Sequence, residues 1–342
     1  MRKVDRTDSL GLIHEIRGPK DPDKSREVIS VSRILNTAYE KGMTIIPYGT
    51  VATYIPELGK AKKKALGISL CTKDGTHYSI GDTETRFTMQ SISKVVSLIL
   101  ALEYIGVDRV LEKVGMEPSG EAFNSLVELD LNSNRPYNPM INSGAITIAS
   151  MLLDEFSFEE MLEYTRKVCI DPEIDLNEAV FRSEMDHMSR NKSIAYLLES
   201  KGIIENDVMD SLERYTRMCS LNVTAESLSN LGIILAMDGI HPLTGEQLIS
   251  QRITEIVKTI MLTCGMYDGS GEFAVRVGIP TKSGVGGGLL SAADDRLGIG
   301  IYGPSLDEKG NCIAGRPVLE YLSKALHLHI FDRTDVTNDL KE

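Results

Sequence analysis

Phe87–Val96 reads FTMQSISKVV. A β-like segment, Thr85 to Met89, gives way here to an apolar helical run that continues as SLILALEYIG. The stretch therefore marks a border between sheet and helix, and it places Ser91 three residues before Lys94. Residues three apart on a helix share a face, so the Ser91 hydroxyl and the Lys94 amine can meet. A desolvated lysine has a lowered pKa and can take a proton from a serine hydroxyl. At a helix N-terminus, Ser91 would also sit among free backbone N–H groups that favour developing negative charge. The bland alternative is an ordinary helix-start serine. Ser-x-x-Lys should occur about once by chance in a chain of this composition, and a second copy runs from Ser189 to Lys192. Only the first lies between a strand-like segment and a long apolar helix.

A second element changes the balance. Lys282-Ser283-Gly284 is the only Lys-[Ser/Thr]-Gly in the chain. In serine acyl-transfer enzymes of the penicillin-recognising type, such a strand borders the nucleophile and its backbone lines the oxyanion hole. The glycines that follow, Gly286 to Gly288, do not make a phosphate loop, which would put the lysine after them.

Working outward, Ser25 to Lys41 has apolar residues at helical spacing. Tyr48 to Gly59 reads as a loop and short helix around Pro56, and Ala65 to Asp82 as a hairpin turning at Asp74-Gly75. Helical patterns then dominate to about Leu262. Val275 to Asn311 returns to β-branched runs broken by glycine, and a final helix covers Arg316 to His327. The reading is α+β: an antiparallel sheet flanked by helices, its strands drawn from both sides of a large helical subdomain. Residues 1–24 form a polar lead-in and 331–342 a tail. Between them, 25–330 make a single catalytic domain. Its sheet part covers about 45–90 and 265–330, its helical part about 91–264.

The 342 residues are 42% hydrophobic with a formal net charge of -12, which suits a globular protein and argues against nucleic-acid binding. One basic run, Gly59 to Ala65 (GKAKKKA), reads as a solvated segment. No stretch is apolar enough to span a membrane or serve as a secretory signal. The five cysteines lack any CxxC and fit small core residues in a reducing cytoplasm. His327 and His329 have no convincing third ligand, so neither a metal nor a cofactor is expected.

Six phrases taken together resemble the serine-dependent glutaminases. They are TYIPELG around Tyr54, FTMQSISKV around Ser91, YNPMINSGAI (Tyr137 to Ile146), SEMDHMSRN (Ser183 to Asn191), CGMYDGSGEFA around Tyr267, and KSGVGGG (Lys282 to Gly288). The resemblance runs in order over roughly residues 25 to 330 and implies a β-lactamase-like fold that hydrolyses L-glutamine to L-glutamate and ammonia. It implies Ser91 as nucleophile and Lys94 as its activating partner. Tyr54 lies on the substrate side, and Asn142, Glu184, Asn191 and Tyr215 bind glutamine. Tyr267 assists proton transfer, and Val285 gives its N–H to the oxyanion hole beside that of Ser91. The division of labour between Lys94 and Tyr267 stays open. The resemblance also implies a homodimer or homotetramer.

The chemistry suits that assignment. Glutamine offers an ammonium, which Glu184 can balance, and a carboxylate, which Asn142, Asn191 and Tyr215 can receive. Each also has a structural reading: Asn142 as a helix-start residue, Glu184 and Asn191 as two residues on one exposed helical face, the tyrosines as core aromatics. Two rivals remain, a penicillin-interacting hydrolase of the same fold and a silent amino-acid-binding protein.

Overall fold

The computed structural model describes residues 29–119, 135–334 and 340–341. The polar lead-in 1–24 and the first residues of the expected opening helix lie outside them, as does most of the tail. Ser30 accepts a hydrogen bond from the Arg33 N–H and starts helix α1, Val31–Ile45, later than its apolar pattern suggests. Ile29–Ser30 (β1) is held in a short parallel pair with Leu340–Lys341 (β9).

The Asp74-Gly75 turn joins β2 (Gly67–Thr72) to β3 (His77–Gly81), with Gly75 at φ 78°. After the helical part come β6 (Thr281–Ser283), β7 (Gly288–Ala293) and β8 (Leu297–Tyr302). These five strands form one antiparallel sheet in the order β3-β2-β8-β7-β6. Gly67 pairs with Tyr302, so the first long strand lies directly beside nearly the last. The protein is α+β, as its sequence pattern implies.

Between the two groups of strands lie α2 (Ser93–Leu100), α3 (Val107–Lys113), α4 (Asn142–Met151), α5 (Phe158–Val168), α6 (Glu178–Asp186) and α7 (Ser189–Ser200). They are followed by α8 (Val208–Cys219), α9 (Ala225–Ala236), α10 (Gln251–Cys264) and α11 (Ser270–Arg276). The final helix, α12, is Gly315–Ala325.

Strand β8 shows how the layers are specified. Leu297, Ile299 and Ile301 alternate with Gly298, Gly300 and Tyr302, so one face carries large aliphatics. Those aliphatics pack with Val31 and Leu35 of α1 and with Val318, Leu319 and Leu322 of α12. The glycine face receives α9. A Cβ on Gly300 would lie 1.8 Å from the Ala225 carbonyl oxygen, and one on Gly298 would lie 2.0 Å from that of Ser229. Helix α9 thus belongs to the sheet's packing although the surrounding sequence reads as one helical block.

The border segment Phe87–Val96 is tied down from both sides. Phe87–Thr88 (β4) pairs antiparallel with Asn222–Val223 (β5), just before α9. Every residue of α2 is buried, and burial of this apolar helix, at roughly 25 cal/mol per Å² of area removed from water, anchors its first turn.

Candidate active site

Ser91 sits in a 3₁₀ turn, Gln90–Ile92, that precedes α2, rather than at the α-helix N-cap, which is Ile92. Gln90 has φ 49° although it is not glycine, a conformation that costs on the order of 1–3 kcal/mol and needs surrounding structure to hold it. Lys94, in the first turn of α2, is 2% exposed. Its Nζ donates to Ser91 Oγ (3.2 Å), the Met140 carbonyl (3.3 Å) and Asn142 Oδ1 (2.7 Å). Burial lowers the Lys94 pKa to about 8, against the opposing pull of Cys219 and Glu184. The second Ser-x-x-Lys has no such setting, since Ser189 is exposed at the start of α7.

Ser91 opens onto a cleft of about 200 Å³ whose walls include Tyr54, Gln90, Asn142, Glu184, Asn191 and Tyr215. Asn142 is the first residue of α4, but its side chain does not cap that helix. Its Oδ1 also accepts from the Tyr215 hydroxyl (3.3 Å), while its Nδ2 donates to Asn191 Oδ1 (2.9 Å). Glu184 and Asn191 come from two helices, α6 and α7, and not from one exposed face. The break follows from His187, whose N–H returns to the Glu184 carbonyl as α6 ends. Glu184 is buried, and its Oε2 accepts from Gln90 Nε2 (3.3 Å). Burial raises its pKa to about 7, against the Gln90 hydrogen bond and the Lys94 charge. Tyr54 keeps 56% of its surface exposed.

Two further groups approach from the sheet side. Tyr267 occupies a 3₁₀ turn, Tyr267–Gly269, at φ 54°. Its hydroxyl donates to the Ser283 carbonyl (3.2 Å) and hydrogen-bonds with Ser91, and burial raises its pKa. Val285 follows β6 in a loop pressed against the Ser91 segment. A Cβ on Gly284 would come within 2.5 Å of the Met89 carbonyl oxygen, and one on Gly286 within 2.4 Å of that of Thr88. Both glycines are needed for that approach. Among the described residues, neither the Ser91 nor the Val285 amide donates to a backbone carbonyl outside regular helix or strand.

The geometry therefore brings the other eight candidate site residues together around Ser91. It adds Gln90, which sequence reasoning passed over; the only signal available was a polar residue directly before the nucleophile. It also adds the Met140 carbonyl, which no side-chain pattern announces. The basic run lies elsewhere. Lys60 and Lys62 line a second cavity of about 290 Å³ whose lining includes Val285 and Gly286 but not Ser91. His327 pairs through Nδ1 with Asp332 (2.8 Å). All five cysteines are buried free thiols. No helix among the described residues is long and apolar enough to cross a membrane.

The family model for glutaminase matches residues 49–331, which is most of the chain and all of this site. The chain belongs to the glutaminase family. It is 49% identical over 305 residues to a glutaminase of Clostridium botulinum (strain Hall), covering 88% of this chain and 100% of that relative. Its fold matches the probable glutaminase ybaS with a TM-score of 0.82 at 34% identity, covering 88% of this glutaminase and 99% of that chain. It also matches the Bacillus subtilis glutaminase YbgJ in covalent complex with 5-oxo-L-norleucine, formed by reaction with 6-diazo-5-oxo-L-norleucine. That match has a TM-score of 0.79 at 38% identity and covers 87% and 98% of the two chains.

Proposed function

We propose that this glutaminase hydrolyses L-glutamine to L-glutamate and ammonia through a glutamyl ester on Ser91. The observation that carries the reading is the buried Lys94 amine, 3.2 Å from the Oγ of Ser91, which itself lines a cleft with the Glu184 carboxylate, Arg190 and several neutral donors. Glu184 takes the substrate ammonium, while Asn142, Asn191, Tyr215 and Tyr54 orient the rest of the amino acid. Neutral Lys94 accepts the Ser91 proton as Oγ adds to the side-chain amide carbon. The resulting oxyanion is held by the amides of Ser91 and Val285, whose hydrogens are not spent on backbone carbonyls of loops and turns. Tyr267 delivers a proton to the leaving nitrogen, the C–N bond breaks, and ammonia departs. Tyr267 then recovers its proton from Lys94. Water adds to the ester as Lys94 takes its proton, the C–O bond to Ser91 breaks, and the proton returns to Oγ.

The five buried thiols support placement in the cytoplasm, and the family resemblance supports a homodimer or homotetramer, which light scattering would check.

The test is release of ammonia and glutamate from L-glutamine by wild type and Ser91→Ala. We expect turnover by wild type, a loss of several orders of magnitude in the variant, and an unchanged fold. Incubation with 6-diazo-5-oxo-L-norleucine should leave its adduct on the Ser91 peptide alone. Equal activity in both proteins, or an adduct on another residue, overturns the assignment.

A further inference from the structure

Lys282 is fully buried on the edge strand β6, yet it lies outside the substrate cleft. Its Nζ donates to the Gly265 carbonyl (3.1 Å) and to the Ser283 carbonyl (2.7 Å). It stands 4.4 Å from the centroid of the Tyr267 ring. The two acceptors are not equivalent. Gly265 leads into the turn that carries Tyr267, and it also accepts the Ser283 N–H (3.1 Å). The Ser283 carbonyl, two residues before Val285, is the same oxygen that receives the Tyr267 hydroxyl (3.2 Å). One amine thus bridges the turn bearing the tyrosine proposed for proton transfer and the strand that leads into the loop bearing the proposed oxyanion amide.

This arrangement is costly if it serves only packing. Burying an amine against carbonyls and a ring, near a second buried lysine, sacrifices solvation that an aliphatic side chain would not lose. The same surroundings, burial first and Lys94 second, push the Lys282 amine well below the usual lysine range. Tyr267 meanwhile holds φ 54°, a conformation that persists only where its surroundings over-determine it.

We infer that Lys282 is a positioning residue for the reaction, clamping the Tyr267 hydroxyl and the Val285 amide in register with Ser91 through the Gly265 and Ser283 carbonyls. The inference rests on the proton-transfer role proposed for Tyr267. It concerns kcat and not glutamine binding, because Lys282 does not line the cleft. A displacement of about 1 Å at a reacting group costs roughly a hundredfold in rate.

The experiment is a double-mutant cycle with Lys282→Met and Tyr267→Phe in the full chain, with melting temperature and circular dichroism recorded for each protein. Lys282→Met keeps an unbranched side chain only one atom shorter than lysine and removes the donors. Its kcat should fall about a hundredfold with KM within threefold of wild type. In the Tyr267→Phe background, the same change should cost clearly less than in wild type, since the part of its effect that passes through the hydroxyl is already lost and only the part that passes through the Val285 amide remains. Lys282→Gln, which keeps N–H donors on a shorter stem, should recover part of the loss. An unchanged kcat in Lys282→Met overturns the inference, as does a loss that persists in full beside Tyr267→Phe. If neither Lys282 variant folds, Lys282 is a stability residue and the inference is equally overturned. Full activity of Tyr267→Phe alone would instead remove the role proposed for Tyr267, so the two failures are told apart.

Discussion

At the scale of single residues, two buried groups set how the site responds to pH under the proposed mechanism. Lys94 accepts a proton only when neutral, and its pKa lies at about 8. Glu184 balances an ammonium only when ionised, and its pKa lies at about 7. Both requirements are met by raising the pH, so kcat/KM for glutamine should climb in two steps between about pH 6 and 9. The two groups interact, and the steps belong to the pair. Glu184→Gln should lower kcat/KM by on the order of a hundredfold or more, through loss of a buried counter-charge, and remove the lower step. A pH profile of the variant checks this; a lower step that survives would move that titration to another group. The Ser91–Lys94 pair was legible in the sequence because a spacing of three is a local property. The bond from Lys94 to Asn142 was not, because it depends on how α2 and α4 pack. Gln90 was hidden for the same reason: its partner Glu184 comes from a distant helix.

At the scale of elements, the site is a meeting of two chain crossings at van der Waals contact. The loop after β6 passes the Ser91 turn with nothing but hydrogen where side chains would start. Gly286→Ala should therefore displace Val285, costing at least tenfold in kcat and lowering the melting temperature. Gly271→Ala is the matched control. A Cβ there meets nothing within 4 Å and Gly271 lies in α11, so activity should stay unchanged and stability rise by up to about 1 kcal/mol. Parallel assays and melts of the two variants test the difference; wild-type behaviour of Gly286→Ala would contradict the close-approach argument. The hairpin at Asp74-Gly75 and the C-terminal strands were readable from turn chemistry and β-branched runs. Where α6 ends and α7 begins was not. The SEMDHMSRN phrase keeps helical spacing across a break that arises from His187 folding back onto the preceding turn.

At the scale of the molecule, the overall class was legible because strands flanked a helical block in the sequence. The seat of α9 was not, since its apolar sequence fits a helix buried anywhere. What selects its place is the pair of glycines on β8. Gly300→Ala would drive a methyl group into the Ala225 carbonyl. It should destabilise the protein by at least about 1–3 kcal/mol, visible as a lower denaturation midpoint; unaltered stability would mean that α9 is not seated as described.

The pairing of Gly67 with Tyr302 has a consequence for how activity arises during synthesis. A chain leaving the ribosome presents Ser91 and Lys94 early, already neighbours in sequence. Tyr267, Val285 and the strand that closes the sheet emerge much later. Contacts of such long range form slowly and only once their partners exist. Until then, the serine lacks the Val285 amide and the Tyr267 hydroxyl to which the proposed mechanism gives the oxyanion and the leaving-group proton. On the proposed mechanism, hydrolytic competence therefore comes late in the life of each molecule, and unfinished chains carry Ser91 in an inert form.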